Sequence, residues 1–248
     1  MVWYLSSAWG SPREGIVIVI LTGAGISQES GIATFRDSGG LWEQERIEDV
    51  ATPQGFFNDP DRVYKFYNAR RRQLLSKEIA PNPAHIAIAD LERQSRETVL
   101  VVTQNVDNLH ERGGTRNLLH MHGELLKARC TRCAAVHQWE ADLDASCVCL
   151  ACKNDGCLRP HIVWFEEMPF YMDEIYRALA KCSLFVSIGT SGNVYPAAGF
   201  ALEAKAHGAR VLELNMEPSR GAHMFHDGRY GPAGIIVPAW VEEVLGRS

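Results

Sequence analysis

The sequence lacks the features that mark several large classes of protein. Its first long apolar run, residues 16–21, is far shorter than the roughly 20 residues of a membrane helix, and the N-terminus has no cationic start typical of a signal peptide. Acidic residues outnumber basic ones by 30 to 25, so a nucleic-acid-binding surface is not expected. Seven cysteines in 248 residues are too few for a disulfide scaffold. We therefore expect a cytoplasmic protein that binds neither membranes nor, directly, nucleic acids.

Four of the cysteines form two closely spaced pairs. Cys130 and Cys133 make one pair, and Cys149 and Cys152 make the other. Each pair provides half of a tetrahedral zinc site, and two pairs leave no open position for catalysis. We therefore predict one structural zinc ion. Cys147 is an alternative third ligand, and we favour Cys149 because it keeps the two-residue spacing.

Short β-branched runs alternate with helical patterns along the chain. Continuous apolar strands of this kind predict an α/β fold, with a Rossmann-like parallel sheet covered by helices on both faces. Ligands of such sheets bind beyond the carboxyl ends of the strands, where the following polar segments converge. The predicted strands lie at residues 16–21, 99–102, 184–188, 211–214 and 235–237.

Two insertions interrupt this alternation and predict a smaller zinc-binding lobe. Residues 34–79 have a helical pattern, with Pro60 opening a helix, and residues 124–159 are rich in cysteine. The zinc module spans residues 130–152. Together the lobes form one domain over residues 1–248, and the Rossmann-like lobe comprises residues 15–33, 80–123 and 160–248.

A glycine-rich motif, residues 23–27, follows the first predicted strand directly. Glycines permit a tight turn and let backbone N–H groups approach a pyrophosphate. Gln28 stands where the third glycine of the dinucleotide-binding fingerprint would fall. On its own the motif fits a nucleotide site and an ordinary strand-to-helix turn equally well.

The order of motifs resembles that of the sirtuins, which are NAD-dependent protein-lysine deacylases. The similarity runs from about residue 16 to residue 244 and is greatest to bacterial sirtuins of the desuccinylase-like class. It implies NAD as co-substrate and acylated lysines of proteins as partners. It also implies nicotinamide, deacylated lysine and 2′-O-acyl-ADP-ribose as products. The motifs that carry it are Gly23-Ala24-Gly25-Ile26-Ser27, Gly31-Ile32-Ala33-Thr34-Phe35-Arg36, Thr103-Gln104-Asn105-Val106-Asp107-Asn108-Leu109-His110, His122-Gly123-Glu124, the paired cysteines and Gly189-Thr190-Ser191.

The resemblance implies a catalytic role for three residues. His122 matches the general base, a task that suits a near-neutral imidazole, and Asn105 and Asp107 match residues that orient nicotinamide and its ribose. A competing interpretation makes His122 a zinc ligand, but four cysteines already complete a tetrahedron. Asp107 also fits the N-cap of a helix that begins near Asn108, and the two roles are compatible.

The NAD-binding residues implied by the resemblance lie in the predicted loops after the strands. Their backbone N–H groups, carboxamides and carboxylates are suitable partners for phosphate, ribose and adenine. The set is Gly23, Ala24, Gly25, Ile26, Ser27, Phe35, Arg36, Trp42, Gln104, Asn105, Val106, Asp107, Gly189, Thr190, Ser191, Asn215, Met216, Glu217 and Ala233.

Tyr67 and Arg70 match the pair that recognises succinyl or malonyl lysine in desuccinylase-like sirtuins. Three residues apart in a helix, they share one face, and an arginine binds a carboxylate through two parallel hydrogen bonds. Ala51 matches the small residue that widens the acyl pocket, and Val194 matches a peptide-binding position. The alternative is a solvated basic face containing Arg70, with Tyr67 packed in the core.

Glu166 departs from the family pattern, which has glycine between Phe165 and Glu167. A positive φ at this position would strain the backbone, whereas an extended backbone would merely add a charge that favours basic peptides. Two other functions compete with deacylation. Protein mono-ADP-ribosylation would use the same NAD site, and a nucleic-acid-binding zinc ribbon would need a more basic segment than residues 130–157 provide.

Overall fold

The computed structural model describes residues 17–32 and 45–246. Its centre is a parallel sheet of six strands in the order β3-β2-β1-β7-β8-β9. The strands of this sheet are β1 Val17–Thr22, β2 Thr98–Thr103, β3 Leu118–His120, β7 Cys182–Ile188, β8 Arg210–Asn215 and β9 Asp227–Tyr230. A second, antiparallel sheet has the order β5-β4-β6, formed by β4 Gly123–Cys130, β5 Val136–Gln138 and β6 Leu158–Ile162.

Both faces of the parallel sheet are covered, as the sequence predicts. Ile18 and Ile20 of β1 point to one face, where they pack with helices α4 Pro83–Gln94 and α8 Ala233–Val244. Val19 and Leu21 point to the other face, where α6 Met172–Leu179 and α7 Phe200–Ala206 lie. Because side chains alternate along a strand, a continuous apolar run buries both of its faces. The predicted fold class is confirmed.

Three helices precede α4 and pack on the antiparallel sheet. They are α1 Ile47–Val50, α2 Pro53–Asn58 and α3 Pro60–Leu74, and the short α5 Leu109–Gly113 follows β2. Pro60 opens α3 as expected, because proline fits the first helical position, where its missing N–H is not needed. The Asp59 carboxylate accepts the Arg62 N–H at 3.0 Å and completes the cap. The α3 helix then buries an apolar face against β4 and β6.

The predicted strand at residues 235–237 is wrong, because these residues lie inside α8. A three-residue apolar run fits either structure, and helical spacing decides here: Val237 and Val241 are buried four residues apart, together with Trp240. The sheet instead ends with β9, a polar edge strand whose residues are exposed or half-buried. Among the helices of the described segments, none is long and apolar enough to cross a membrane.

Candidate active site

The carboxyl ends of four neighbouring strands bring the predicted NAD-binding motifs together. Backbone hydrogen bonds join the loops that follow these strands: the Gly23 N–H donates to Ile188 O at 3.0 Å, and the Gln104 N–H donates to Thr22 O at 2.9 Å. The Gly189 N–H donates to Leu214 O, also at 2.9 Å. The ligand-binding edge expected of an α/β sheet is therefore one connected backbone surface.

The glycines of the first motif are needed for contact between two loops. A Cβ atom on Gly25 would lie 2.8 Å from the Cα atom of Gly189, and one on Gly23 would lie 2.8 Å from Gly189 O. Gly189 itself has φ +61° and would place a Cβ 2.5 Å from Ile26 N. After β1, the chain forms two short 3₁₀ turns, whereas a standard dinucleotide fold has a helix at this point. The glycines therefore let the two loops pack directly against each other, with no side chain between their backbones.

Ser27 links the side chains of Asn105 and Asp107. Its hydroxyl oxygen accepts a hydrogen bond from the side-chain amide of Asn105 at 3.1 Å, and its O–H donates to Asp107 Oδ2 at 3.0 Å. The same amide also donates to Gly23 O at 3.1 Å. Both side chains are buried, Asn105 at 5% and Asp107 at 7% exposure. The three side chains therefore form one rigid polar group beside the glycine motif.

Asp107 also contacts the start of α5, where its Oδ1 accepts the Leu109 N–H at 3.0 Å. The sequence suggested Asp107 as the N-cap of this helix, but the N-cap residue is Asn108, and Asp107 lies one position before it. Burial raises the pKa of the carboxyl above its ordinary value, while the bonds from Leu109 and Ser27 act in the opposite direction. Because both oxygens accept hydrogen bonds, the carboxyl group is held in one orientation.

His122 lies in the connection between β3 and β4, at the boundary of the two sheets. Its Nδ1 is 3.1 Å from Gln104 O, and because a carbonyl only accepts, Nδ1 carries the proton. Nε2 is then the basic nitrogen of the neutral ring. Burial lowers the pKa of His122, which keeps the imidazole neutral near pH 7. Its neighbour His120 is tied instead to Asn105 O at 3.1 Å and to Glu111 at 2.8 Å.

One cavity combines predicted acyl-binding and NAD-binding residues. Arg70 lines it together with Ser27, Asn105 and Asp107. Burial lowers the pKa of Arg70 to about 10, so its guanidinium still carries a charge at neutral pH. It donates to Phe66 O at 2.8 Å and lies over the Phe66 ring. The arrangement places a partly desolvated cation next to the predicted nicotinamide site.

Tyr67 and Ala51 do not line this cavity but are buried in the adjoining hydrophobic core, which shares Leu74 and Leu125 with it, at 5% and 4% exposure. The hydroxyl oxygen of Tyr67 accepts the Nε1–H of Trp164 at 3.0 Å. The carbonyl of Ala51 accepts the Phe165 N–H at 2.9 Å. Neither contact was foreseen from the sequence, since no local spacing relates residues 51 and 67 to residues 164 and 165.

The remaining predicted NAD-binding residues that the structure describes lie at the same edge of the sheet. Thr190 and Gln104 line a second cavity, together with the predicted peptide-binding residue Val194. The Asn215 amide donates to Thr190 O at 2.9 Å. Ser191, Met216 and Glu217 are exposed, whereas Ala233 is buried at the start of α8. The predicted contacts Phe35, Arg36 and Trp42 lie outside the described residues.

Further residues line the first cavity to which the sequence analysis assigned no binding role. Gln73 and Leu74 follow Arg70 by one helical turn on α3, so helical spacing from Arg70 would have found them. Ile32, from the loop after β1, lies in one of the motifs that carry the resemblance. Leu125 comes from β4, and the spacing within the sequence carries no signal for it.

The segment around Glu166 forms a tight turn. The Glu167 N–H donates to Trp164 O at 3.1 Å, and Glu166, the third residue of the turn, has φ +75°. A positive φ at this position is that of a type II turn, which favours glycine. Of the two backbone geometries considered from the sequence, the strained one is present.

The four paired cysteines meet at one point of the small lobe. Their Sγ atoms all lie within 4.8 Å of one another, and the Cys130–Cys152 and Cys133–Cys149 Sγ separations are both 3.7 Å. A tetrahedron with Zn–S bonds of about 2.3 Å has edges of about 3.8 Å. The quartet therefore fits a structural zinc ion, with no histidine in the set.

Cys147 and Cys157, the other cysteines of the lobe, make different contacts. The Sγ of Cys147 is 3.5 Å from Asp144 Oδ1, so the geometry favours Cys149 as the third ligand. The Sγ of Cys157 lies 3.4 Å from that of Cys130 and donates to Asn154 O at 3.2 Å.

Comparisons with known proteins agree with this architecture. The model of the Sir2 family matches residues 23–196. The NAD-dependent protein deacylase of Vibrio cholerae is 58% identical over 231 residues, covering 93% of this chain and 94% of that protein.

Two solved structures have the same fold. The complex of a Sir2 homologue with NAD is 38% identical and has a TM-score of 0.84, covering 93% of this chain and 90% of that one. A Sir2 protein bound to an acetylated peptide is 28% identical, with a TM-score of 0.79 and 95% coverage of both chains.

Proposed function

The chain belongs to the Sir2 family, and on that premise we propose that this NAD-dependent protein deacylase removes succinyl and malonyl groups, as well as acetyl groups, from protein lysines. The single observation that carries the acyl assignment is the cavity shared by Arg70, Asn105 and Asp107. It combines a cation suited to a terminal carboxylate with the residues assigned to nicotinamide and ribose. The proposed products are nicotinamide, deacylated lysine and 2′-O-acyl-ADP-ribose.

The backbone around Gly23 to Ser27 and Gly189 to Ser191 is the proposed pyrophosphate and ribose site. When bound, NAD supplies an electrophilic ribose carbon and a leaving nicotinamide. Ser27 holds Asn105 and Asp107 in one orientation, so their polar groups meet the nicotinamide ribose without reorganisation. Asn215 orders the loop at Thr190 on the adenosine side.

His122 is the proposed general base. Its Nδ1–H is committed to Gln104 O, which leaves the Nε2 lone pair to accept a proton from a ribose hydroxyl. The lowered pKa favours the neutral form that this transfer requires. The four-cysteine cluster has no open coordination position, so its proposed role is to fold the small lobe rather than to take part in the reaction.

Arg70 is the proposed recognition group for the carboxylate of a succinyl or malonyl chain. Its side chain is half-buried, and a charge-assisted hydrogen bond gains strength in such surroundings. Ala51 is the proposed small residue of the acyl pocket, and Val194 is proposed to contribute to binding of the peptide. The proposed partners are acylated lysines of proteins, and the cytoplasm remains the predicted location.

The test compares nicotinamide release by the purified protein on matched succinyl-lysine and acetyl-lysine peptides. In Arg70→Met, kcat/KM for the succinyl peptide should fall by roughly ten- to a hundredfold more than for the acetyl peptide, which corresponds to about 1.5–3 kcal/mol. Arg72→Met is the matched control, because Arg72 lies on the same helix but is exposed and pairs with Asp142.

Three results would contradict parts of the proposal. Equal losses on both peptides in Arg70→Met would remove the acyl assignment and leave the deacylase. A wild-type enzyme that prefers acetyl-lysine would return Arg70 to a structural role. Nicotinamide release with a retained ADP-ribose label on the acceptor protein would favour mono-ADP-ribosylation instead.

A further inference from the structure

Trp164 contacts the proposed acyl pocket through a single hydrogen bond. Its indole Nε1–H donates to the hydroxyl oxygen of Tyr67 at 3.0 Å. Both side chains are buried, Trp164 at 2% and Tyr67 at 5% exposure, and their rings lie 6.5 Å apart. In such surroundings a hydrogen bond is not exchanged readily for one with water.

This bond determines where the Tyr67 hydroxyl can point its own proton. Burial is the largest influence on the pKa of Tyr67 and raises it, so the hydroxyl keeps its proton at neutral pH. Conjugation with the ring holds a phenolic O–H near the ring plane, in one of two directions. Since the indole N–H approaches one lone pair, the proton is directed away from Trp164 and is available to an acceptor.

The indole is itself held firmly. The Cζ atom of Arg159 lies 3.2 Å from the centroid of the Trp164 ring, and the ring of Phe56 lies 5.2 Å away. Arg159 is fixed in turn by Glu167, which it contacts at 2.6 and 3.0 Å. The backbone N–H of Trp164 also donates to the carboxylate of Glu167 at 2.8 Å. Trp164 therefore has little freedom to release Tyr67.

The next residue along the chain contacts the other buried residue of the pocket. The Phe165 N–H donates to Ala51 O at 2.9 Å. Trp164 and Phe165 thus hold in place two proposed acyl-pocket residues, Tyr67 and Ala51, that are distant from them in sequence. The Trp164–Phe165 segment is consequently part of the framework of the pocket.

We propose that Trp164 is a positioning residue for acyl selectivity, whose indole N–H orients the Tyr67 hydroxyl to donate to the terminal carboxylate of a dicarboxylic acyl-lysine. The inference rests on the proposed function of Arg70 and Tyr67. It assigns to Trp164 no contact with the substrate. A phenylalanine at position 164 would keep the aromatic packing and lose only the donor.

The experiment is a double-mutant cycle with Trp164→Phe, Tyr67→Phe and the double variant, assayed on succinyl-lysine and acetyl-lysine peptides. Each single substitution should lower the succinyl-to-acetyl ratio of kcat/KM about tenfold, the size of one hydrogen bond to a charged group. The loss should appear mainly as a higher KM for the succinyl peptide. The double variant should lose no more selectivity than Tyr67→Phe alone, because the two residues act as a unit.

Trp139→Phe is the matched control, since it removes an indole N–H that donates to Asp142 O in the small lobe, and its ratio should stay at the wild-type value. The inference would be overturned if Trp164→Phe left the succinyl-to-acetyl ratio unchanged, whether or not activity on both peptides fell equally. Additive effects in the double variant would also overturn it. A wild-type enzyme without desuccinylation would contradict the proposed function itself.

A second measurement applies if Trp164→Phe does not fold. In protein carrying ¹⁵N-labelled tryptophan, Tyr67→Phe should shift one of the six indole N–H signals strongly. Six signals at their wild-type positions would also overturn the inference.

Discussion

At the residue scale, the contacts of His122, the proposed general base, are separate from the four-cysteine cluster. The ring is fixed by a backbone carbonyl on one side and kept neutral by burial, and none of its contacts involves the four clustered thiols. The sequence identified this residue only through resemblance, because a histidine eight positions before a cysteine also fits a zinc ligand. The tautomer follows from the position of Gln104 O, which only the fold can supply.

We expect His122→Ala to lose at least about a hundredfold in nicotinamide release in the presence of an acylated peptide, the usual contribution of a general base. Zinc content, measured by metal analysis of the same preparation, should remain at one ion per chain. Loss of zinc together with activity would contradict the separation of the two sites.

The backbone conformation of Glu166 lowers the stability of the folded protein by a measurable amount. A side chain in the left-handed region costs about 1–2 kcal/mol, and part of this is recovered with glycine despite its greater freedom when unfolded. Glu166→Gly should therefore raise the melting temperature by roughly 2–4 °C.

Glu166→Ala is the control, because it removes the charge and keeps the Cβ atom. The two variants are compared by differential scanning calorimetry at one pH and one zinc concentration. An equal increase for both would mean that charge, and not backbone strain, is responsible.

At the scale of elements, the main predictions that succeeded depend on long patterns. The apolar runs that became β1, β2, β7 and β8 were buried on both faces, and α3 began at Pro60 as expected. The strand prediction for residues 235–237 was wrong because three apolar residues cover less than one helical turn, so their pattern does not distinguish a helix from a strand. The polar edge strand β9 has neither an apolar run nor alternation to reveal it.

The zinc module is an element whose ligand set can be tested directly. Cys149→Ser should abolish zinc binding and lower the melting temperature, because the metal replaces much of a hydrophobic core in a lobe of this kind. Cys147→Ser should retain one zinc ion per chain, since its thiol faces Asp144. Metal analysis and thermal melting of both variants provide the readout, and the opposite ranking would make Cys147 the ligand.

At the scale of the whole molecule, two buried histidines, one on α4 and one on α5, lie against each other. His85 and His110 have ring centroids 4.9 Å apart, and His85 Nε2 has no hydrogen-bond partner among the described residues. Burial lowers the pKa of His85 to about 4 and that of His110 well below its ordinary value. Both rings are therefore neutral in the folded protein near pH 7.

The consequence is a loss of stability in mild acid. Between an unfolded pKa of about 6.5 and the folded value, the unfolded chain binds protons that the folded chain rejects, so the free energy of unfolding falls as the pH falls. For His85 this amounts to about 3 kcal/mol between pH 6.5 and pH 4. Stability from this source is fully present above pH 6.5.

His85→Gln should flatten this dependence, because glutamine keeps an acceptor for the Asn82 N–H and does not titrate. Urea unfolding at several pH values between 5 and 7.5 measures the slope. His207→Gln, at a side chain that is 43% exposed, serves as the control. Parallel curves for wild type and His85→Gln would contradict the assignment to burial.

The position of His122 has a mechanical consequence. Only Met121 and His122 separate β3 of the parallel sheet from β4 of the antiparallel sheet, and two residues span at most about 7 Å. Any rotation of one sheet against the other must be absorbed in the torsion angles of this linker, which also sets the direction of the imidazole. His122, the proposed proton acceptor, thus lies in the hinge between the two sheets, and the direction of its ring depends on the angle between them.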